Sequence, residues 1–473
     1  MKQDFAAACW KKAENILGGD GMYSNEWQKS GYGWGSVDAE ILTETAYRDR
    51  NGSLSMPEEK VMVVPGRGGE PPVVVVRPQG TRRRTQKAFR AAAQVAARMK
   101  AERVGLSLAG VDAAMVRAAL WGVGQGLYRY QTPGKTVLGP LVTVESEQDL
   151  ALEFAILKQQ SAVRDWINYP SNLKPPAQLA DMMQAKSPES IQWTVYDHRA
   201  LADMGAGGIL AVGQGSHRPP VMLTGRYEGD PGKPWIALVG KGIVFDSGGI
   251  SLKPGDGMGR MKGDMGGAAA AAGAIRAIAD LGMKANVLAV LPLAENLPGG
   301  GAYRPGDILT MMDGTEVEII STDAEGRLVL ADAVTWAVRE NVSAIIDMAT
   351  LTGANVVALG GIRSGLLSND DVLARLVRDA SETMAEPCWE LPHDEDYVDL
   401  IQSTAADIKN SGGRPAGTVT AGLFIGHFAK NTPWAHLDIA GLSFEGDGPG
   451  GIGAGATGYG VAALVESTAR FAR

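Results

Sequence analysis

Apolar and polar positions alternate between two periods along this chain. Pro234-Trp-Ile-Ala-Leu-Val-Gly240 is a short apolar run closed by glycine, the pattern of a strand buried on both faces. Residues 317–320 (Val-Glu-Ile-Ile) predict a second strand, leading into a polar loop, and 328–338 predict the helix that leaves it. Between them, the small residues from Gly266 to Ala279 suit a helix packed closely on a sheet. The first third follows a βαβα pattern: a strand at 71–76, a helix at 85–100, a strand at 103–108 and a helix at 111–126. A long helix is expected over 147–167, followed by the proline-rich stretch Asn168-Tyr-Pro-Ser-Asn-Leu-Lys-Pro-Pro176. Residues 1–50 have weak periodicity and no internal repeat is evident. The fold class expected is α/β: a smaller N-terminal α/β domain (1–146), a linking helix (147–167) and a C-terminal mixed-sheet α/β domain (168–473).

Composition narrows the function classes. A chain of 473 residues, 45% apolar, has length for two domains, and it contains no uninterrupted apolar stretch of membrane-spanning length. Its N-terminal segment carries an acid and too short an apolar run for a secretory signal, so no membrane partner is expected. Two cysteines, Cys9 and Cys388, are too few for a disulfide framework, and a reducing cytoplasm is the expected location. The net charge of −8 argues against general nucleic-acid affinity. The basic cluster Arg82-Arg-Arg84, with Lys87 and Arg90, reads as a solvated turn and helix start.

The chemistry is concentrated in two segments. Ser321-Thr-Asp-Ala-Glu-Gly-Arg327 places carboxylates at i and i+2 between small residues, with an arginine behind them. Lys241-Gly-Ile-Val-Phe-Asp-Ser-Gly-Gly-Ile-Ser-Leu-Lys253, with Asp264 beyond it, follows the buried run at 234–240, so Lys241 and Asp246 are expected at a strand's carboxyl edge, where α/β sheets place their sites. Asp246, Asp264, Asp323 and Glu325 would repel one another without cations, and two divalent ions carry the matching charge. Hard oxygen donors favour Mg²⁺ or Mn²⁺, while Zn²⁺ and Co²⁺ also accept carboxylate and nitrogen. A lysine ligates only as the neutral amine, so Lys241 would need a depressed pKa. Any one of these acids alone reads more readily as a helix cap; the ordered set does not.

These segments resemble the leucyl aminopeptidase (M17, cytosol aminopeptidase) family, and the resemblance runs from about residue 168 to the end. Ala349-Thr-Leu-Thr-Gly-Ala354, Asn410-Ser-Gly-Gly-Arg414 and Trp434-Ala-His-Leu-Asp-Ile-Ala-Gly441 match further family blocks. The resemblance implies two metal ions, one held by Asp246, Asp323 and Glu325, the other by Lys241, Asp246, Asp264 and Glu325. It implies Lys253 and Arg327 as catalytic residues, with a bicarbonate ion held by Arg327 to shuttle the proton. The implied reaction is hydrolysis of the first peptide bond of peptide substrates by a water activated between the metals. Met261 and Thr350 fall on positions lining the family's first side-chain pocket, which implies apolar residues such as Leu or Met. A homohexamer with catalytic domains inward is implied on the same ground. Ser321 departs from the Asn of many members, which bears on side-chain preference and not on the metal chemistry.

Two other readings are weaker. Gly453-Ala-Gly-Ala-Thr-Gly458 satisfies a G-x-G-x-x-G dinucleotide pattern, but only fifteen residues follow it, too few for the acidic ribose ligand of a βαβ unit. A DNA-binding or scaffold protein that merely keeps the fold has no physical need for four converging carboxylates.

Overall fold

The computed structural model describes residues 27–30, 37–52, 54, 56, 61–66, 69–78, 80–130, 140–146, 148–445 and 455–473. Cys9 and the start of the G-x-G-x-x-G stretch lie outside them. The described residues form two compact units that divide between Asp165 and Trp166, with residues 456–473 in the second.

In the first unit a six-stranded sheet has the order Trp27–Ser30, Leu141–Glu145, Arg103–Ser107, Ala39–Thr43, Val73–Val76, Val61–Val64, parallel except at the last pair. Four successive valines serve Val73–Val76 because a parallel strand here is covered on both faces, and Val74, Val75 and Val76 are buried. The helix Arg82–Arg98 starts three residues before the expected position because Thr81 caps it, its hydroxyl accepting from Arg84 N at 3.3 Å. The Arg82–Arg84 cluster thus occupies a first helical turn. The helix expected from 147 runs instead over Ala151–Asn168, since the Asp149 carboxylate accepts from Ala151 N at 3.1 Å and stops it there.

The second unit is built on a nine-stranded mixed sheet. Its order is Cys388–Glu390, Ser364–Ser368, Trp434–Asp438, Ala344–Ala349, Trp235–Gly240, Asn286–Asn296, Val221–Glu228, Ile191–Tyr196, with Gly242–Asp246 also paired to Asn286–Asn296. Trp235–Gly240, the predicted buried strand, lies in the middle and is parallel to both neighbours. Ala237 and Val239 join the core built on the helix Gly326–Arg339. The alternate face meets the helix Gly266–Asp280, whose small residues allow contact so close that a Cβ on Gly240 would sit 2.5 Å from Ala268 Cα. The strand expected at 317–320 is Glu316–Glu318 and belongs to a separate small sheet with Ile308–Thr310 and Ile408–Lys409. It ends early because the amide of Ile320 is taken by the Asn410 side chain at 2.8 Å.

Candidate metal centre

The carboxyl end of the central strand opens into the site. Lys241 joins Trp235–Gly240 to Gly242–Asp246, and Asp246 ends the second of these strands. Asp264 lies between the 3₁₀ turn Met258–Gly263 and the helix Gly266–Asp280. Glu325 immediately precedes the helix Gly326–Arg339, and Asp323 stands in the loop before it. The chain reverses tightly after Asp246 because Gly248 and Gly249 adopt positive φ (85° and 64°), and Gly248 N donates to Asp246 Oδ1 at 2.9 Å.

These side chains converge. Lys241 Nζ is 2.8 Å from Asp264 Oδ2, 2.8 Å from Glu325 Oε1 and 3.0 Å from the carbonyl of Thr350. Lys253 Nζ is 2.8 Å from Asp246 Oδ2 and also pairs with Asp323 Oδ1. Among the described residues, Asp246, Asp323 and Glu325 each offer an oxygen within 4.8 Å of the others. All five proposed ligands, with Lys253, Arg327, Met261 and Thr350, line one cavity of about 1280 Å³. Arg327 is buried and donates from Nη1 to the carbonyl of Asn410 at 2.8 Å, so it is not the simple partner of Asp323 that its position in sequence allows.

The charges show what such a site requires. Burial, reinforced by the neighbouring Asp246 charge, raises the carboxyls of Asp264 and Glu325 above the usual carboxylate range, against the pull of Lys241. Burial raises Asp323 as well, with Lys253 opposing. Burial would lower Lys241, but Asp264, Glu325 and Asp246 override it and raise its pKa, opposite to the direction a ligating amine needs. Protein charges alone therefore hold an ammonium there. Divalent cations would displace that proton and at the same time stabilise the crowded carboxylates. Glu325 Oε2, buried and without a hydrogen-bond partner among the described residues, is the free donor atom a bridging ligand would need. The donor set at Asp246, Asp323 and Glu325 fits a hard or borderline divalent ion.

Residues 161–465 match the family model described as "Cytosol aminopeptidase family, catalytic domain". The chain belongs to the cytosol aminopeptidase family. It is 47% identical over 326 residues to a probable cytosol aminopeptidase of Geobacter sulfurreducens, covering 68% of this chain and 66% of that one. It is 49% identical over 305 residues to another of Syntrophotalea carbinolica, covering 64% and 61%. The matches thus span under two thirds of those relatives' lengths. Among solved structures, it resembles the bottromycin maturation enzyme BotP in complex with Mn, with a TM-score of 0.81, 36% identity and coverage of 93% of this chain and 100% of that chain. A mutant of tomato leucine aminopeptidase gives a TM-score of 0.80 at 28% identity, covering 95% and 96%.

Sequence reasoning gave no role to the residues that hold this family's segments in register here. Asn296, fully buried, donates from Nδ2 to Asp246 Oδ1 (2.8 Å) and to the carbonyl of Thr322 (2.9 Å). Thr322 and Ser251 exchange hydrogen bonds (Ser251 N to Thr322 Oγ1, 2.8 Å; Thr322 N to Ser251 Oγ, 3.1 Å), which stitches the Asp323 loop to the Asp246 loop. Asn410 lay inside a matched block, a signal of position without a signal of role.

Gly326 offers a test confined to one atom. A Cβ there would lie 2.5 Å from Lys241 Cε and 2.7 Å from its Nζ, atoms of a buried side chain held by Asp264, Glu325 and the Thr350 carbonyl. Gly326→Ala is therefore expected to lower Tm, because displacing the amine breaks buried ion pairs worth more than the helix propensity alanine adds, and to lower kcat at least tenfold. Thermal denaturation and kinetics on one preparation check both halves.

Proposed function

We propose that this chain is a metal-dependent aminopeptidase that removes N-terminal, preferably apolar, Leu- or Met-like residues from peptides. The observation that carries the reading is the meeting of Lys241, Asp246, Asp264, Asp323 and Glu325 with Lys253 and Arg327 in one cavity. Asp246, Asp323 and Glu325 would hold one divalent ion and Lys241, Asp246, Asp264 and Glu325 the other, with Mn²⁺ or Zn²⁺ favoured and Mg²⁺ or Co²⁺ compatible. Manganese is supported by its presence in the similar BotP structure. When bound, the ions supply an activated water, an anchor for the free α-amine and polarisation of the scissile carbonyl.

The chain's own groups do the rest. Lys253 reaches the carboxylates at Asp246 and Asp323, so its ammonium would face a carbonyl bound at the metal site and stabilise the developing oxyanion. Burial pulls the Arg327 guanidinium down to about 10, which leaves it cationic at neutral pH and suited to hold a bicarbonate ion as the proton carrier. Met261 and Thr350 would shape the first side-chain pocket, and Val356, Val357 and Leu391 add apolar wall to the same cavity. By the same reading the assembly is a homohexamer with its catalytic domains inward, and the location is the cytoplasm. No helix among the described residues is long and apolar enough to cross a membrane.

A Leu-p-nitroanilide assay with added Mn²⁺, run beside nicotinamide-cofactor absorbance and DNA retention, tests the class: turnover is expected only in the first, and chelation should abolish it. The register of cleavage gives a second test. A peptide with a free N-terminal Leu should be cleaved while its N-acetylated form resists, because acetylation removes the basic amine and adds bulk at the carboxylate end of the cavity. Comparable turnover of both would identify an endopeptidase or another hydrolase.

A further inference from the structure

We infer that Asn410 is a positioning residue for the metal-ligand loop, fastening the segment that carries Asp323 and Glu325 from behind; the inference rests on the metal-site reading above. Asn410 is fully buried at the end of the two-residue strand Ile408–Lys409. Its Oδ1 accepts from Ile320 N at 2.8 Å and from Ser321 N at 3.3 Å. Its Nδ2 donates to the carbonyl of Ser321 at 2.7 Å and to that of Ala324 at 3.4 Å. Both acceptor positions and both donor hydrogens of the carboxamide are thus directed at one short piece of backbone, which uses the full hydrogen-bonding capacity of the group.

Elsewhere that backbone is held at its two ends and at Thr322. Residues 319–325 belong to neither a helix nor a strand; Ile319 is bonded to Asp307 O (2.9 Å) and Gly306 N (2.7 Å), Glu325 O accepts the first helical amides, and Thr322 O accepts from Asn296 Nδ2 and Tyr303 Oη (2.9 Å each) beside the stitch to Ser251. Between these points the other bonds are a turn from Ala324 N to Ser321 O (3.3 Å) and Asp323 N to Ser321 Oγ (3.2 Å). Lys253 holds Asp323 by its side chain alone, and that side chain is already over a third exposed, so an unfastened loop would let the backbone that carries Asp323 and Glu325 shift. Asn410 opposes this at both ends, Ile320 and Ala324. Its main chain is fixed in turn, since Asn410 N donates to Glu318 O at 3.0 Å and Asn410 O accepts from Arg327. One residue therefore spaces the guanidinium of Arg327 from the carboxylates of the cradle. Groups that orient metal ligands from behind are typically worth ~10–100-fold in metal affinity or activity.

Asn410→Ala keeps the carbonyl that receives Arg327 and removes the four bonds to the loop. In the full-length protein, well below its Tm, the variant is expected to bind Mn²⁺ at least tenfold more weakly by calorimetry. At saturating Mn²⁺ it should lose kcat with little change in KM. Hydrogen–deuterium exchange over 319–325 should speed up while exchange over the core strand Ala344–Ala349 stays as in the wild type. The isosteric Asn410→Asp retains the acceptor bonds to Ile320 and Ser321 and should regain part of that protection. Wild-type Mn²⁺ affinity and wild-type exchange in Asn410→Ala, with only Tm lowered, would overturn the inference. If the alanine variant fails to fold, Asn410→Ser is read by the same two measurements with the same overturning result. A wild type that neither binds Mn²⁺ nor cleaves peptides refutes the functional reading instead, and exchange over 319–325 still decides whether Asn410 positions the loop.

Discussion

Glu325→Ala is expected to eliminate peptidase activity at every Mn²⁺ concentration without weakening the metal-free fold. A metal ion supplies several kcal/mol of transition-state stabilisation, so loss of a ligand proposed to serve both ions corresponds to about a thousandfold or more in kcat. The stability half of the expectation comes from the charges. Glu325 is buried among like charges that raise its pKa, and its Oε2 has no hydrogen-bond partner among the described residues, so the metal-free protein carries it at a cost. Removing it leaves Lys241 with Asp264 at 2.8 Å and the Thr350 carbonyl at 3.0 Å. The Tm of the chelated variant should therefore equal or exceed that of the chelated wild type, whereas the rise in Tm that Mn²⁺ gives the wild type should shrink. Metal content per chain, kcat and Tm with and without chelator form the measurement. Full activity of Glu325→Ala under saturating metal would remove Glu325 from the ligand set.

Arg327→Ala should separate proton transfer from metal binding two residues away. The guanidinium donates to Asn410 O at 2.8 Å, and its Nε has no hydrogen-bond partner among the described residues, which leaves donor capacity for an anion in the cavity. If it holds the proton-shuttling bicarbonate, the variant keeps both ions and binds an amino-terminal transition-state analogue with modest loss. It should lose ~10²–10⁴-fold in kcat, the usual worth of general acid–base assistance. Added bicarbonate should stimulate the wild type more than the variant. Loss of a metal ion in Arg327→Ala would instead make Arg327 a support of the cradle, and unchanged kcat would take it out of the mechanism. Lys253→Ala provides the contrast, since it would remove the group proposed to stabilise the oxyanion, and bicarbonate should not modulate its effect.

How far the sequence alone reached can be judged at particular residues. The apolar run before Lys241 identified a central strand, because a strand covered on both faces has no polar side to confuse its period. The small-residue helix after Asp264 was legible for a similar reason, as only close packing on a sheet calls for so many alanines and glycines in succession. Asp246, Asp264, Asp323 and Glu325 could be read as a set because each flanks a regular element, and the ends of regular elements are where the period breaks. What remained hidden depends on contacts distant in sequence. The strand expected at 317–320 stops early because Asn410, ninety positions beyond Ile320, takes its amide, and no local pattern records that. The direction of the Lys241 pKa followed from three carboxylates brought within reach by three separate loops. Residue types and local periodicity determined which groups the chemistry is proposed to rest on and which elements present them. Only the tertiary structure decided their spacing and protonation, because Coulomb energies and hydrogen bonds depend on distances that the chain reaches when its loops are fastened together.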